Sequence, residues 1–440
     1  MKFNKLKALA VPFAASAAIQ PFLAYAAEAV SPEEIKTKAT KLLEQGQYEQ
    51  ACELLNVDEK SAFNPQLTFL RGQCKFGQLD YSAAAFQYEL MLSKNTNLPR
   101  VRLELARTLA AMGNTAAAKD EYEKVNEGKV PVTVKRNIQS QLDAIDEHRK
   151  LHGVFSLGLM HDSNVNAAPA DPNIQAFGLP FVLDTDSTER SDMTMLGSFS
   201  AGRYFSGPFA DDWRMDGYGN FLNYDTEGEF DSHFLGFSVG PNFYSNYRIS
   251  LPLGYSSAWE GGKRASQTYS FSPSVSRSIN QQLRVSSQLS FQHYDDLRET
   301  DESNGWSNGV SVNTQYSINQ SNMVELGLSY LNNNANEVEY NRSESTTLNA
   351  GWHTMVMNGA RFSLQGSISK LKYDAVDPVD MNTVRDDNRY GLNLNLYKDF
   401  KVGSTSFTPV LSIGWTKNES NIARRDYERT TISLQIRKQF

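Results

Sequence analysis

From Gly153 to Phe440, apolar and polar side chains alternate in one segment after another. Leu283, Val285, Leu289 and Phe291 share a face with Ser287, while Arg284, Ser286, Gln288, Ser290 and Gln292 occupy the opposite one. The alternation returns in Val324-Leu326-Leu328-Tyr330, in Tyr390-Leu392-Leu394-Leu396 and, last, in Ile432-Leu434-Ile436. A period of two belongs to the β-strand, whose successive side chains point to opposite faces. Strands buried on both faces would be written as continuous apolar runs, and almost none occur. One greasy face and one polar face per strand suit a barrel with lipid outside and water inside. The segment divides into about fourteen strands of membrane-barrel length.

The connections point the same way. Short links at Ser278–Gln281, Ile318–Ser321 and Met357–Ala360, the last an Asn-Gly hairpin turn, alternate with long polar ones at Met160–Arg190, Asp295–Asn304, Asn332–Ser343, Tyr373–Arg389 and Lys417–Tyr427. Strict alternation predicts an outer-membrane barrel, with tight turns in the periplasm and long loops outside.

Residues 1–26 read as a cleaved export segment. Lys2, Lys5 and Lys7 form a basic head, Ala8 to Leu23 an apolar middle, and Ala24-Tyr25-Ala26 a small-residue cleavage site. No later stretch is long and apolar enough for a helix to cross a bilayer.

Residues 27–150 predict an all-α repeat domain. Ala39, Gly72 and Ala106 recur at spacings of 33 and 34 residues, followed by Tyr48, Tyr81 and Thr115, then Ala51, Ala84 and Ala118, then Leu55, Tyr88 and Tyr122. Small residues at fixed offsets let paired helices touch, and the spacing is that of tetratricopeptide repeats. Gly46, Gly77 and Gly113 are placed in the turns within the pairs, and Pro65, Pro99 and Pro131 at new helix starts. The first helix of each pair lines the concave face and offers Gln66, Phe69, Gln73, Arg100, Leu103 and Arg107 as a docking surface; the competing reading is solvated helix surface with Phe69 and Leu103 in the core. The two cysteines, Cys52 and Cys74, fit either one disulfide or two buried thiols on neighbouring helices.

The fold class is therefore α + β in two domains, with helical repeats to residue 150 and a barrel over 151–440. An apolar share of 40% is low for a helical membrane protein, but barrel strands spend only half their residues on lipid. A net charge of −7 argues against a nucleic-acid partner.

The first strand runs into Asp162-Ser163-Asn164-Val165-Asn166-Ala167-Ala168-Pro169. Repeats followed by a barrel whose first strand ends in Asp-Ser-Asn-Val-Asn-Ala-x-Pro resemble the surface lipoprotein assembly modifier family of outer-membrane translocators. The resemblance spans the mature chain and implies a barrel that delivers lipoproteins, or soluble haem- or metal-scavenging proteins, to the cell surface, with the repeats working on the periplasmic side. It implies an exported client protein as partner. From the residues themselves, Asp162, Ser163, Asn164, Asn166 and Pro169 have the chemistry to cap and fold the start of the first loop; gating the pore or gripping a client is the alternative.

Catalysis and cofactors find little support. His161, Asp162 and Ser163 are adjacent and cannot aim their side chains at one another as a triad requires. His148 and His152 stand four apart with no third ligand in reach, and His233, His293 and His353 are scattered singly. The Asp/Asn spacing of the first loop lacks the glycine and terminal glutamate of a calcium loop. The reading is of a non-enzyme without cofactor or metal. At the end of the chain, Ile432, Leu434, Ile436 and Phe440 have the alternation and terminal aromatic that the barrel assembly machinery reads, with the same side chains facing outer-membrane lipid. Lys438 interrupts the alternation, its stem long enough to snorkel. Two other functions remain open at this point: a porin or polysaccharide-export channel bearing repeats, and a structural or adhesive barrel.

Overall fold

The structure, a computed structural model, describes residues 31–56, 63–176, 179–298, 304–335, 338–356, 359–380, 383–403 and 405–440. The export segment and Met357 and Asn358 of the Met357–Ala360 turn lie outside those residues.

Seven helices come first among the described residues: α1 Pro32–Glu44, α2 Tyr48–Asn56, α3 Pro65–Gly77, α4 Tyr81–Lys94, α5 Pro99–Met112, α6 Thr115–Asn126 and α7 Val132–His148. Each start is written in the sequence. Proline opens α1, α3 and α5, where a missing N–H costs nothing. Side-chain oxygens of Ser31, Asn64, Asp80 and Asn114 accept from the first free backbone N–H groups of α1, α3, α4 and α6. The repeat-equivalent residues form the core. Ala39, Ala51, Ala84, Ala106 and Ala118 are all fully buried, and Leu55, Tyr88 and Tyr122 fill the space between pairs. Burying each such large side chain contributes about 1.5–3 kcal/mol. Gly72 is required by close approach, because a Cβ there would stand 2.5 Å from the Tyr88 ring.

Gly77 does not sit in a turn as expected. It is the last residue of α3, and its missing Cβ makes room for the Tyr48 ring. The left-handed turn residue is Leu79, at φ 60°, between Gly46 at 73° and Gly113 at 96° in the repeat register. The repeat spacing identifies position 79; the glycine two residues earlier serves packing instead.

Fourteen barrel strands follow among the described residues: β1 His152–Asp162, β2 Asp192–Phe205, β3 Asp212–Tyr224, β4 Ser232–Tyr244, β5 Arg248–Ser250 continuing as Leu253–Glu260, β6 Lys263–Phe271 continuing as Ser274–Ser278, β7 Leu283–Asp296, β8 Gly305–Asn319, β9 Asn322–Ala335, β10 Ser343–Met355, β11 Arg361–Val376, β12 Val384–Tyr397, β13 Thr405–Ser420 and β14 Tyr427–Gln439. Neighbours in sequence pair antiparallel, and β14 returns to β1, with Leu157 opposite Ile436 and Leu159 opposite Leu434. Closure leaves no edge for lipid to meet. Pro252 and Pro273 break β5 and β6 side by side, Ser272 donating to the Pro252 carbonyl at 3.1 Å, because proline has no N–H for the ladder.

Leu157, Leu159, Phe237, Leu289, Leu326, Leu328, Ile368 and Leu434 point outward and are exposed. Their neighbours point inward: Ser156 meets Ser198, and Asn313, Gly327, Asn349, Gln365 and Asn393 line an inner-wall cavity of about 500 Å³.

Two loop expectations fail. Tyr373–Arg389 is largely strand, since β11 reaches Val376 and β12 begins at Val384. Polar residues above the apolar band still pair: Asp387 is held by Arg385, and Asn418 reaches it from β13. The alternation of loop lengths is also not strict. Gly261 and Gly262, at φ 53° and 76°, make a tight two-residue turn between β5 and β6 at the long-loop end.

Candidate functional site: the repeat groove and its seat on the barrel rim

The helices sit on the short-turn end of the barrel. Asp80, which caps α4, accepts a hydrogen bond at 2.8 Å from the amide of Asn246 in the β4–β5 turn, and Asn246 in turn accepts from the Ser82 backbone N–H at 3.0 Å. One repeat later, Asn114, which caps α6, donates to Asp211 in the β2–β3 turn at 2.7 Å. Both residues still hold their own helix, through Ala83 and Ala117. Equivalent caps in consecutive repeats thus grip consecutive short turns of the barrel. Arg149 donates to Ser206 at 2.9 Å, and the His148 ring stacks on Tyr204 at 4.9 Å. Burial, and then the neighbouring Arg248 and His152, lower the His148 pKa from its ordinary 6.5, partly opposed by Asp212.

Beside this seat runs a groove. One cavity of about 510 Å³ is bounded by Thr40, Tyr48, Gln73, Phe76, Tyr88, Glu104 and Arg107, together with Gln281 from the β6–β7 turn. A second, of about 440 Å³, continues from the same Glu104 and Arg107 past Leu103, Tyr122 and Ile138. The groove thus extends along α3, α5 and α7 and ends against the barrel rim. Arg100 and Arg107 both pair with Glu104, at 3.2 and 3.9 Å, and lie over the rings of Phe69 and Phe76 at 5.9 and 4.8 Å. Burial and the Glu104 carboxylate push the Tyr88 hydroxyl up, so it stays neutral.

Of the six residues named from sequence for this face, Gln73, Leu103 and Arg107 line the cavities. Arg100 stands over Phe69, which packs against Tyr88. Gln66 is exposed at the start of α3 and lines neither cavity. Sequence reasoning missed Glu104, which organises both arginines. Its position four residues after Arg100 and three before Arg107 was the available signal. Gln281 gave no signal, because only the docked arrangement brings it there. Cys52 and Cys74 form a disulfide between α2 and α3.

At the opposite end, the first-loop motif folds onto the barrel seam. Asp162 is wholly buried, paired with Arg429 of β14 through the guanidinium Nε at 2.9 Å and accepting from the Tyr224 hydroxyl at 3.2 Å. Asn164, also buried, accepts from the Ala168 backbone N–H at 3.0 Å and donates to the carbonyls of Ala168 and Glu428 at 2.8 and 3.0 Å. The Ser163 hydroxyl accepts from the Thr430 N–H, and the Asn166 amide bridges Thr188 and Arg190. Pro169 accepts from the Glu189 N–H at 3.2 Å and lines a cleft with the β13–β14 loop.

Ile432, Leu434, Ile436 and Phe440 lie on the outer surface. Gly153 and Phe440 exchange backbone hydrogen bonds at 2.9 and 3.0 Å, and a Cβ at Gly153 would strike the Phe440 ring. Lys438 pairs with Phe155 in the seam register. The histidines are apart: His152 meets the Glu147 carbonyl, His293 pairs with Asp295, and His353 with Glu325.

The family model described as "Surface lipoprotein assembly modifier" matches residues 151–440. A surface lipoprotein assembly modifier of Pasteurella multocida is 22% identical over an alignment of 392 residues that covers 83% of this chain and 74% of that protein. Surface lipoprotein assembly modifier 1 of Haemophilus influenzae is 22% identical over an alignment of 389 residues that covers 82% of this chain and 74% of that protein. The helical part also matches the translocator chaperone SycD of Yersinia enterocolitica type III secretion at 20% identity, with a TM-score of 0.25, over 26% of this chain and 83% of that one.

Proposed function

This chain belongs to the surface lipoprotein assembly modifier family, and on that premise we propose that it is an outer-membrane translocator whose periplasmic repeats dock one exported client and feed it to the barrel. The observation that carries this reading is the seat formed by Asp80 with Asn246 and Asn114 with Asp211, which joins the repeats to the short-turn rim. Short turns of such barrels face the periplasm, so repeats fixed to that rim stand where a client arrives from the inner membrane. A groove that ends at Gln281 holds an extended chain beside the lumen and raises its local concentration there.

The inner wall suits the task. Asn313, Gly327, Asn349 and Asn393 offer neutral amides and small surfaces, and the one carboxylate of that cavity, Glu325, is paired with His353. An extended polypeptide finds hydrogen-bond partners on such a wall at every residue, with no strong site to halt it. The outer strand faces keep the barrel in lipid, and the Ile432–Phe440 end is the part read by the assembly machinery. The client itself is the cargo of this transfer.

The test is deletion of the gene, with surface exposure of candidate lipoproteins and uptake of a small solute measured together. The proposal predicts that one surface protein disappears from the exterior while solute uptake is unchanged. Loss of uptake with every surface protein still displayed would establish a porin instead.

A further inference from the structure

The first long loop contains a hairpin of its own. Asn173–Ala176 pairs antiparallel with Leu179–Val182, Ile174 standing opposite Phe181. The inner strand is anchored: Ile174 is buried, and with Asn173 it lines a cleft of about 530 Å³ shared with Asn418, Ala423 and Tyr427 of the β13–β14 loop. Among the described residues, the outer strand is left open to solvent. Leu179, Phe181 and Val182 are 66%, 55% and 68% exposed. A single exposed apolar side chain is ordinary on a protein surface, but here Leu179 and Phe181 on one strand face and Val182 on the other are all exposed on a polar loop, which marks a contact surface.

The surroundings select the kind of contact. Asp171, Asp184, Asp186 and Glu189 are exposed around the hairpin. Hydrogen bonds from Asn173 and Ser187 hold the Asp171 and Asp184 carboxyls below the usual range, so both are ionised at neutral pH. Arg190, the cation of this loop, is taken up by Glu227 and Glu229 at 2.7 Å each. An acidic rim repels an anionic lipid surface and attracts a basic one. Pro180 in the middle of the outer strand has no N–H to donate, which blocks a regular added strand. Recognition therefore falls on side chains. The loop also crosses onto the start of β14 through Asn164 and Glu428, which puts the hairpin beside the barrel opening.

We propose that the Leu179–Val182 strand is a docking surface for the exported protein, receiving an apolar segment flanked by lysine or arginine as it emerges at the long-loop end. This rests on the translocator reading above. The apolar strip shields the client's exposed hydrophobic side chains before it folds, and the acidic rim gives the capture its direction.

The experiment uses full-length protein in cells lacking the native gene, with the client defined as the surface protein lost on deletion. One variant combines Leu179→Asn, Phe181→Asn and Val182→Asn; a second combines Asp184→Lys and Asp186→Lys. A heat-modifiable barrel band at wild-type level reports assembly, and the rate at which client becomes accessible to external protease is the readout. A photo-cross-linking residue at position 181 reports contact with that client. Both variants are expected to slow client exposure several-fold with the barrel band unchanged, and position 181 to cross-link to the client. If the triple variant fails to assemble, the charge variant and the cross-link decide. Wild-type client exposure in the assembled variants, in cells where deletion abolishes it, would overturn the docking surface and leave the translocator standing. A deletion after which every surface protein is still displayed would instead remove the translocator itself. Binding of the purified protein to lipopolysaccharide vesicles that the triple variant loses, without client cross-linking, would also overturn the proposal.

Discussion

Asn114 uses both ends of one amide: its oxygen caps α6 at the Ala117 N–H, 3.1 Å away, and its nitrogen reaches Asp211 of the barrel at 2.7 Å. A residue type chosen for helix capping is thereby made part of a domain joint. Asn114→Ala should cost about 1 kcal/mol of local helix stability. In a double-mutant cycle with Asp211→Ala, the pair should show a coupling of about 1.5 kcal/mol. Asp211 also accepts from the Tyr244 N–H, and the cycle removes that separate effect. Release of the repeats measured by limited proteolysis provides the free energies, and additive effects would mean that the contact contributes nothing to docking.

The Cys52–Cys74 disulfide closes a separation of 22 residues within the first repeat and the next. Replacing both cysteines with serine should lower the stability of the helical part by about 3 kcal/mol. The barrel's heat-modifiable band should not move, because both cysteines lie in the core of the helical part with Ile35, Ala39 and Leu55. Thermal unfolding followed by helical circular dichroism, with and without reductant, distinguishes the two parts.

The first-loop motif is expected to act through the barrel seam. Asp162→Asn leaves Arg429 without its counter-charge in a largely closed setting, and breaking such a pair costs about 3 kcal/mol. Asn164→Ala abandons the Glu428 and Ala168 carbonyls and the Ala168 N–H, and should cost about 2 kcal/mol. Both should lower the temperature at which the folded barrel band converts to the unfolded one, Asp162→Asn more. Unchanged transition temperatures would assign the motif a role other than holding the seam.

The alternation of Leu157 and Leu159 with Ser156 and Gly158, and its repeats through Ile436, made the barrel legible because lipid and water demand opposite faces at every step. The repeat register was legible for the same kind of reason: Ala39, Ala51 and Tyr88 occupy positions where only certain volumes fit. Loop boundaries were less so. Asp386, Asp387 and Asn418 are polar and look like loop, yet their backbones pair above the apolar band, Asp386 with Lys372 and Asp387 with Ser420. Leu79 hid a left-handed turn because leucine rarely adopts one. The seat itself was not legible. Asp80 and Asn114 read as ordinary caps, and nothing local to Asn246 or Asp211 announces a partner more than 90 positions away.

The central claim is that the repeats must be seated on the rim for the client to be delivered. Asp80→Lys combined with Asn114→Asp, which sets a second carboxylate against Asp211 and keeps a capping oxygen for α6, should free the repeats while keeping both parts folded, verified by intact helical content, a normal barrel band and rapid proteolytic release of the repeats. Surface display of the client in cells carrying this variant is the direct measurement. Display reduced to the level given by a barrel beginning at residue 151 is the predicted result; display equal to wild type, with the repeats demonstrably released, would contradict it.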